Sequence, residues 1–124
     1  MIKSNILGFC LAVVILFTAC KKDEKQILRS WVATSVVVDG IDSSSAYKNY
    51  METYGDGGVY SFSGDPNGNK GDGDYQWTSG TKIKRSGVSK QPSVEISVLK
   101  VTRKEFQYKA VLNGMNYEFK FKKY

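Results

Sequence analysis

The sequence predicts an all-β domain, an antiparallel meander of eight strands that closes into a small barrel. Three observations support this fold class. Strong β-forming residues alternate with polar residues along most of residues 27–124, no long segment keeps a helical period, and clustered glycines mark short turns. Because closure removes the exposed edges of a sheet, consecutive antiparallel strands with short connections favour a barrel.

The predicted strands follow one another with a turn after each. In chain order they are Ser30–Val38, Tyr50–Tyr54, Val59–Ser63, Asp74–Trp77, Thr81–Arg85, Val94–Leu99, Lys104–Leu112 and Met115–Lys123. The segment 43–54 is ambiguous, because its apolar residues also fall at helical spacing. We favour a strand over 50–54 after an irregular or one-turn helical lead-in.

The last hairpin is the most fully specified element. Asn113-Gly114 favours a two-residue type I′ turn, in which both residues need positive φ. That turn places apolar and aromatic pairs such as Phe106/Phe121 on one face and Lys–Glu pairs on the other. Turn chemistry, burial and charge therefore agree on one register.

A second hairpin is predicted around the sequence Thr-Ser-Gly at 78–80. A three-residue loop there, with its glycine in the left-handed conformation, puts Trp77 opposite Thr81 and Tyr75 opposite Ile83. Tyr75 and Trp77 would then point to the same side of the sheet, towards the interior of the barrel.

The N-terminal residues have the layout of a lipoprotein export signal. Lys3 gives a positive start, and Ile6–Ala19 is an almost unbroken apolar segment. Phe17-Thr18-Ala19-Cys20 resembles the bacterial lipobox, whose cysteine takes a diacylglyceryl group before cleavage. The apolar segment is shorter than the ~20 residues that a membrane span needs. A plain signal peptide with a coincidental cysteine is the alternative.

This layout divides the chain into a signal peptide (1–19), a lipidated tether (20–26) and one domain (27–124). Acyl chains on Cys20 would anchor an exported, monomeric protein to the outer membrane, at its periplasmic or cell-surface face. Lys21-Lys22-Asp23-Glu24 resembles a surface-sorting tag, or it is a solvated spacer. The other cysteine, Cys10, is lost with the signal, so the mature domain has no disulfide.

Composition argues against an enzyme. The chain has no histidine, which excludes Ser–His–Asp and Cys–His sites and ordinary zinc sites. The carboxylates of Glu95, Glu105 and Glu118 are predicted to point outwards, two of them opposite lysines. Exposed carboxylates of this kind make poor general acids at neutral pH. No catalytic residue and no cofactor is predicted.

The glycine-rich segment 64–74 invites comparison with a calcium loop. Asp65, Asn67 and Asn69 have the alternate spacing of an EF-hand, but Lys70 stands where the required glycine would be. A solvated hairpin loop is favoured, and no metal site is predicted.

The order of motifs along the mature chain resembles the small lipocalin-like bacterial lipoproteins. The matching motifs are Leu28 with Trp31, Val38-Asp39-Gly40, Thr53-Tyr54-Gly55-Asp56-Gly57-Gly58-Val59-Tyr60, Gly73-Asp74-Tyr75-Gln76-Trp77, Glu95-Ile96-Ser97-Val98-Leu99 and Tyr117-Glu118-Phe119-Lys120-Phe121. The resemblance covers most of residues 27–124 and implies a lipocalin-like, calycin-type barrel. That family usually has glycine two residues before the first-strand tryptophan, whereas this chain has Arg29.

Inward-facing aromatic rings have two interpretations. In the first, the rings fill the barrel, and the shortness of the strands favours this interpretation. In the second, they line a lumen for a small hydrophobic or glycan ligand. On the second interpretation the candidate ligand contacts are Trp31, Tyr75, Trp77 and Tyr108.

The charge of the mature domain is unevenly distributed along the chain. Residues 82–124 carry a net charge of +8, and residues 39–74 carry −5. The basic strands have two interpretations: they face an anionic component of the envelope, or they form a lysine-rich surface that prevents edge pairing. We favour the second interpretation. No nucleic-acid partner is expected.

The predicted function is that of a non-enzymatic binding lipoprotein. The alternative is a protein–protein module, an inhibitor or assembly subunit, that uses the outer wall and the loop 64–73.

Overall fold

The computed structural model describes residues 23–124 and confirms the closed eight-stranded antiparallel barrel, with one short extra strand. The strands are β1 (Ser30–Val38), β2 (Ile41–Asp42), β3 (Met51–Gly55), β4 (Val59–Ser63), β5 (Gly71–Ser79), β6 (Lys82–Ser86), β7 (Val94–Val101), β8 (Glu105–Leu112) and β9 (Met115–Lys123). A 3₁₀ helix, Ser44–Tyr47, lies between β2 and β3. Within residues 23–124 no helix is long and apolar enough to cross a membrane. The predicted signal peptide and Cys20 lie outside the described residues.

Closure joins the first long strand to the last. β1 pairs antiparallel with β9 from Trp31↔Lys123 to Val38↔Tyr117, with a bulge at Thr34. The barrel strands are β1 and β3–β9, each paired with its neighbour in chain order, and β2 folds back onto the end of β1. The eight predicted strands correspond to these in order. The favoured strand over 50–54 is confirmed as β3, and a short helical turn precedes it.

The terminal hairpin has the predicted register. Phe106 pairs with Phe121, and Glu105 pairs with Lys122. The turn residue Asn113 has φ of 52°, and the glycine after it has φ of 77°. Both values are those of the predicted type I′ turn.

The predicted register of the second hairpin is wrong by two residues. Trp77 pairs with Ile83 and Tyr75 pairs with Arg85, and Gly80 has no positive φ. The cause is a bulge at Thr78, which lets β5 continue to Ser79. A shift of two residues keeps every side chain on its predicted face, so the inward direction of Tyr75 and Trp77 survives the error.

The two ends of the barrel differ. One end, here called the closed end, is formed by residues 23–29 and the turns at 56–58, 80–81 and 102–104. Ile27 and Trp31 are fully buried there, and the Trp31 Nε1 donates to the Ile27 carbonyl at 3.0 Å. Arg29 spans this end, with Nη1 donating to the Arg103 carbonyl and the guanidinium 5.5 Å from the Trp31 ring centre. Its bulk is therefore accommodated at the closed end.

The opposite end, here called the mouth, is formed by the 3₁₀ helix, the loops 64–70 and 87–93, and the turn at 113–114. Between the two ends, stacked and tilted rings fill the interior. Phe106 stacks on Phe121 at 5.5 Å, and Tyr108 stacks on Phe119 at 5.0 Å between ring centres. The centre of the barrel is thus a packed aromatic core.

Candidate functional site

The barrel interior contains an acidic and a basic side chain. Glu52 on β3 is 0% exposed and Arg85 on β6 is 7% exposed, and in residues 23–124 no other charged residue is buried. Arg85 Nη1 lies 3.1 Å from Glu52 Oε2. Burying two ions is costly unless they pair and their remaining hydrogen-bonding groups find partners, so the surroundings of this pair decide what it can do.

Three tyrosines donate to the Glu52 carboxylate. Oε2 accepts from the hydroxyls of Tyr50 and Tyr108, each at 2.6 Å, and Oε1 accepts from Tyr54 at 2.8 Å. Tyr54 lies in β3 two positions after Glu52, and alternate residues of a strand face the same side. Tyr50 immediately precedes that strand. Every group in contact with the carboxylate is a donor, which is the environment of an ionised acid.

Arg85 lies between aromatic rings. Its guanidinium carbon is 4.7 Å from the Tyr60 ring centre and 5.4 Å from that of Tyr108, distances at which a cation is attracted to a ring face. Besides Glu52, Nη1 contacts the hydroxyl oxygens of Tyr54 at 3.2 Å and Tyr108 at 3.3 Å. Among the described residues, Nε and Nη2 of Arg85 have no protein acceptor.

Burial keeps the tyrosine hydroxyls protonated. Burial, and then the negative charge of Glu52, raise the pKa of Tyr50 and Tyr54 well above the ordinary value. Burial is also the largest cause that raises the pKa of Tyr60 and Tyr108. At neutral pH these side chains are therefore hydrogen-bond donors.

A cavity of about 560 Å³ lies at the mouth, and Arg85 is the only buried charged residue in its lining. Six of the residues that line it are aromatic: Tyr47, Tyr50, Tyr60, Phe62, Tyr117 and Phe119. Asp65 and Lys90 from the two long loops complete the rim. Burial, with Tyr117 the next cause, raises the pKa of Tyr47 to about 12. The cavity thus combines aromatic lining residues with a cationic group at depth.

The structure does not bring the four predicted ligand contacts together. Trp31 is buried at the closed end, and Tyr108 is buried in the centre, where it contacts both ions. Tyr75 and Trp77 line a different hollow of about 600 Å³, beside Leu28 and Gly58 at the closed end. Of the four, Tyr108 alone takes part in the buried network of Glu52 and Arg85.

The glycine-rich loop is shorter than predicted and turns on itself. β5 begins at Gly71, and Asp65 Oδ1 accepts from the backbone N–H of Asn67 at 2.9 Å and of Asn69 at 2.7 Å. Within residues 23–124 there is no group of three or more His, Cys, Asp or Glu side chains that could hold a metal ion.

The Glu52–Arg85 pair was not predicted, although the sequence carries a signal for it. Tyr50 and Tyr54 flank Glu52 at alternate positions, so a strand with both tyrosines inward also turns Glu52 inward. In the same way Arg85 follows the inward residue Ile83 by two positions. Comparison of the sequence with protein-family models and with curated proteins found no match in either case.

Proposed function

We propose that the protein is a non-enzymatic binding protein whose barrel mouth holds one small hydrophobic or glycan ligand. The observation that carries the proposal is the cavity of about 560 Å³ with its six aromatic lining residues. Ligand sites are typically concave, about 300–1,000 Å³ in volume and mostly apolar, with a few fixed polar groups. Aromatic faces suit apolar chains, planar rings and the apolar faces of sugars alike.

We also propose that the protein is a lipocalin-like lipoprotein of the cell envelope, anchored to the outer membrane through Cys20. The support is the lipobox-like Phe17-Thr18-Ala19-Cys20 in the sequence and the small closed barrel that follows it. Mass spectrometry of the N-terminal peptide should find an acylated Cys20. C20S should leave the membrane fraction, and if it remains there unchanged the anchor proposal is wrong.

Native mass spectrometry tests ligand binding directly. The barrel closes within residues 23–124, so residues 21–124, secreted without lipid into a bacterial periplasm, contain every strand. We expect an added mass of a few hundred daltons, the scale of a ligand that fits such a cavity. Neither tryptophan lines the mouth, so mass is a better readout than tryptophan emission.

Two variants that each introduce an indole, one at the mouth and one at the closed end, show where the ligand lies. Ser93→Trp adds an indole to the lining of the mouth, and Thr81→Trp adds one to an exposed turn at the closed end. We expect the first variant to lose the added mass and the second to retain it. A chain that carries no adduct, or an adduct that survives Ser93→Trp, contradicts the proposed site.

A groove on the outer wall favours a second candidate function, a protein-interaction module. This groove of about 650 Å³ runs beside Val37, Lys109 and Val111, and Val111 is 64% exposed. If an outer-wall partner is the main ligand, Val37→Asp, at a residue that lines the groove and not the mouth, should abolish its capture in pull-down and Ser93→Trp should not. The opposite pattern favours the mouth.

A further inference from the structure

We infer that the ligand of the mouth carries a carboxylate and that Arg85 binds it at the inner side of the cavity. This inference rests on the proposed function of the mouth and names the chemical class of its ligand. It depends on the hydrogen bonds that Arg85 makes, on those it leaves unmade, and on the other charges around the cavity.

Arg85 has N–H donors that no protein group in residues 23–124 accepts. A guanidinium carries five N–H donors in a planar fork, and Nη1 alone reaches protein acceptors in the described part of the chain. The three N–H groups on Nε and Nη2 belong to a side chain that is 7% exposed and lines the cavity. Neither atom is among the buried, unpartnered side-chain nitrogens of residues 23–124, which are Arg29 Nε and Trp77 Nε1, so both are accessible and can donate to an acceptor in the cavity.

Glu52 does not depend on Arg85 alone for its stabilisation. Tyr50, Tyr54 and Tyr108 supply three of the four hydrogen bonds to its carboxylate, and Arg85 supplies the fourth. Glu52 therefore remains solvated by hydroxyl groups when Arg85 binds a second anion. The geometry holds the guanidinium in place between the Tyr60 and Tyr108 rings, which lowers the entropic cost of binding.

The charges at the rim of the cavity also favour an anionic ligand. Asp65 is the one acidic residue in the cavity lining, and two backbone N–H groups of its own loop already occupy its Oδ1. Lys90 adds a second cation on the other loop. With Glu52 and Arg85 paired, a ligand carboxylate would find Lys90 to balance its charge. A planar fork with free donors on Nε and Nη2 fits a planar carboxylate in the bidentate manner.

Two matched probes test the inference, naphthalene-2-acetate and its uncharged amide. They share the aromatic body and differ in the group that would meet Arg85. In calorimetric titrations of residues 21–124 at neutral pH, we expect the acid to bind at least about tenfold more tightly than the amide. The double variant Glu52→Gln/Arg85→Met removes both charges and should bring the two affinities together while retaining amide binding.

A second measurement needs no variant. The chain has three arginines, and Arg29 and Arg103 lie at the closed end as internal controls. In ¹H–¹⁵N spectra the Nε–H resonance of Arg85 alone should move when the acid is added, and the amide should leave it in place.

The outcomes separate this inference from the proposed function. Equal affinities for the two probes, both lost in Ser93→Trp, overturn the carboxylate inference and leave the mouth as the binding site. A preference for the acid that persists in the double variant, or a failure of the acid to bind, also overturns it. The proposed function is judged independently, by the mass of the ligand bound in the periplasm.

Discussion

Alkaline pH is a sharp perturbation of this fold, because four of its tyrosines are buried. Burial raises the pKa of Tyr50, Tyr54, Tyr60 and Tyr108 above the ordinary value, whereas in the unfolded chain a tyrosine ionises near pH 10. Below that pH both states hold these protons, and the full stability is present. Above it the unfolded chain releases protons that the folded chain keeps, so the free energy of unfolding falls as pH rises.

The size of the effect follows from the number of groups. Each tyrosine lowers the free energy of unfolding by about 1.4 kcal/mol per pH unit between the two pKa values. Four together give about 5.5 kcal/mol per pH unit. A domain of this size has about 5–15 kcal/mol of stability to lose. We therefore expect cooperative unfolding between about pH 11 and pH 13.

Near-ultraviolet absorbance of phenolate and far-ultraviolet circular dichroism, recorded on the same samples, provide the assay. Ionisation of the four buried tyrosines should coincide with loss of the sheet signal. Tyr60→Phe keeps the ring beside Arg85 and removes one ionisable group, so the pH slope of urea-unfolding stability should fall by about a quarter. If all eight tyrosines ionise near pH 10 while the chain stays folded, or if the slope in the variant is unchanged, the prediction is wrong.

Three further predictions concern the stability of the barrel, each measured by urea unfolding. Glu52→Gln and Arg85→Met should each lower the free energy of unfolding by about 3–5 kcal/mol, because each leaves a buried ion without its partner. The double variant should lose about 2 kcal/mol less than the sum of the two single losses. Strict additivity would contradict the pairing. Asn113→Ala should cost about 1 kcal/mol, because alanine tolerates its φ of 52° poorly, and no effect would contradict the turn assignment. Gly64→Ala should lower the free energy of unfolding by at least about 1 kcal/mol more than its control Gly68→Ala. Both glycines have positive φ, but a Cβ at Gly64 would lie 2.0 Å from a backbone oxygen, whereas a Cβ at Gly68 would meet open space.

The sequence was sufficient for the features that local rules decide. Strand order, closure and the register of the terminal hairpin depend on alternation and on a turn whose chemistry admits one geometry. It was insufficient where a contact between distant strands overrides a local preference. Gly71 and Gly73 favour a loop by composition, yet they lie in β5, where a Cβ at Gly73 would be 2.4 Å from the Ser86 carbonyl oxygen. The lack of a side chain at Gly73 lets the two backbones approach, and at Gly71 it leaves room for the Phe62 ring.

The buried pair of Glu52 and Arg85 was not predicted for a related reason. A glutamate or an arginine within an alternating strand is usually solvent-exposed, and the position of either residue alone supports that interpretation. Glu52 and Arg85 are 33 positions apart, on strands that are not neighbours in the sheet. Three tyrosines complete their hydrogen bonds, one on β3, one immediately before β3 and one on β8. The arrangement exists only once the barrel has closed.

The closed end also determines how this domain can be attached to anything else. The backbone N–H of Tyr124 donates to the Ser30 carbonyl at 3.2 Å, so residues 23–30 and Tyr124 leave the barrel side by side, at the end opposite the mouth. A membrane tether, an affinity tag or a fused domain joined at either side therefore emerges away from the cavity. A layer of these barrels immobilised through either terminus would present its binding openings to the solution, with the attachment points on the far side.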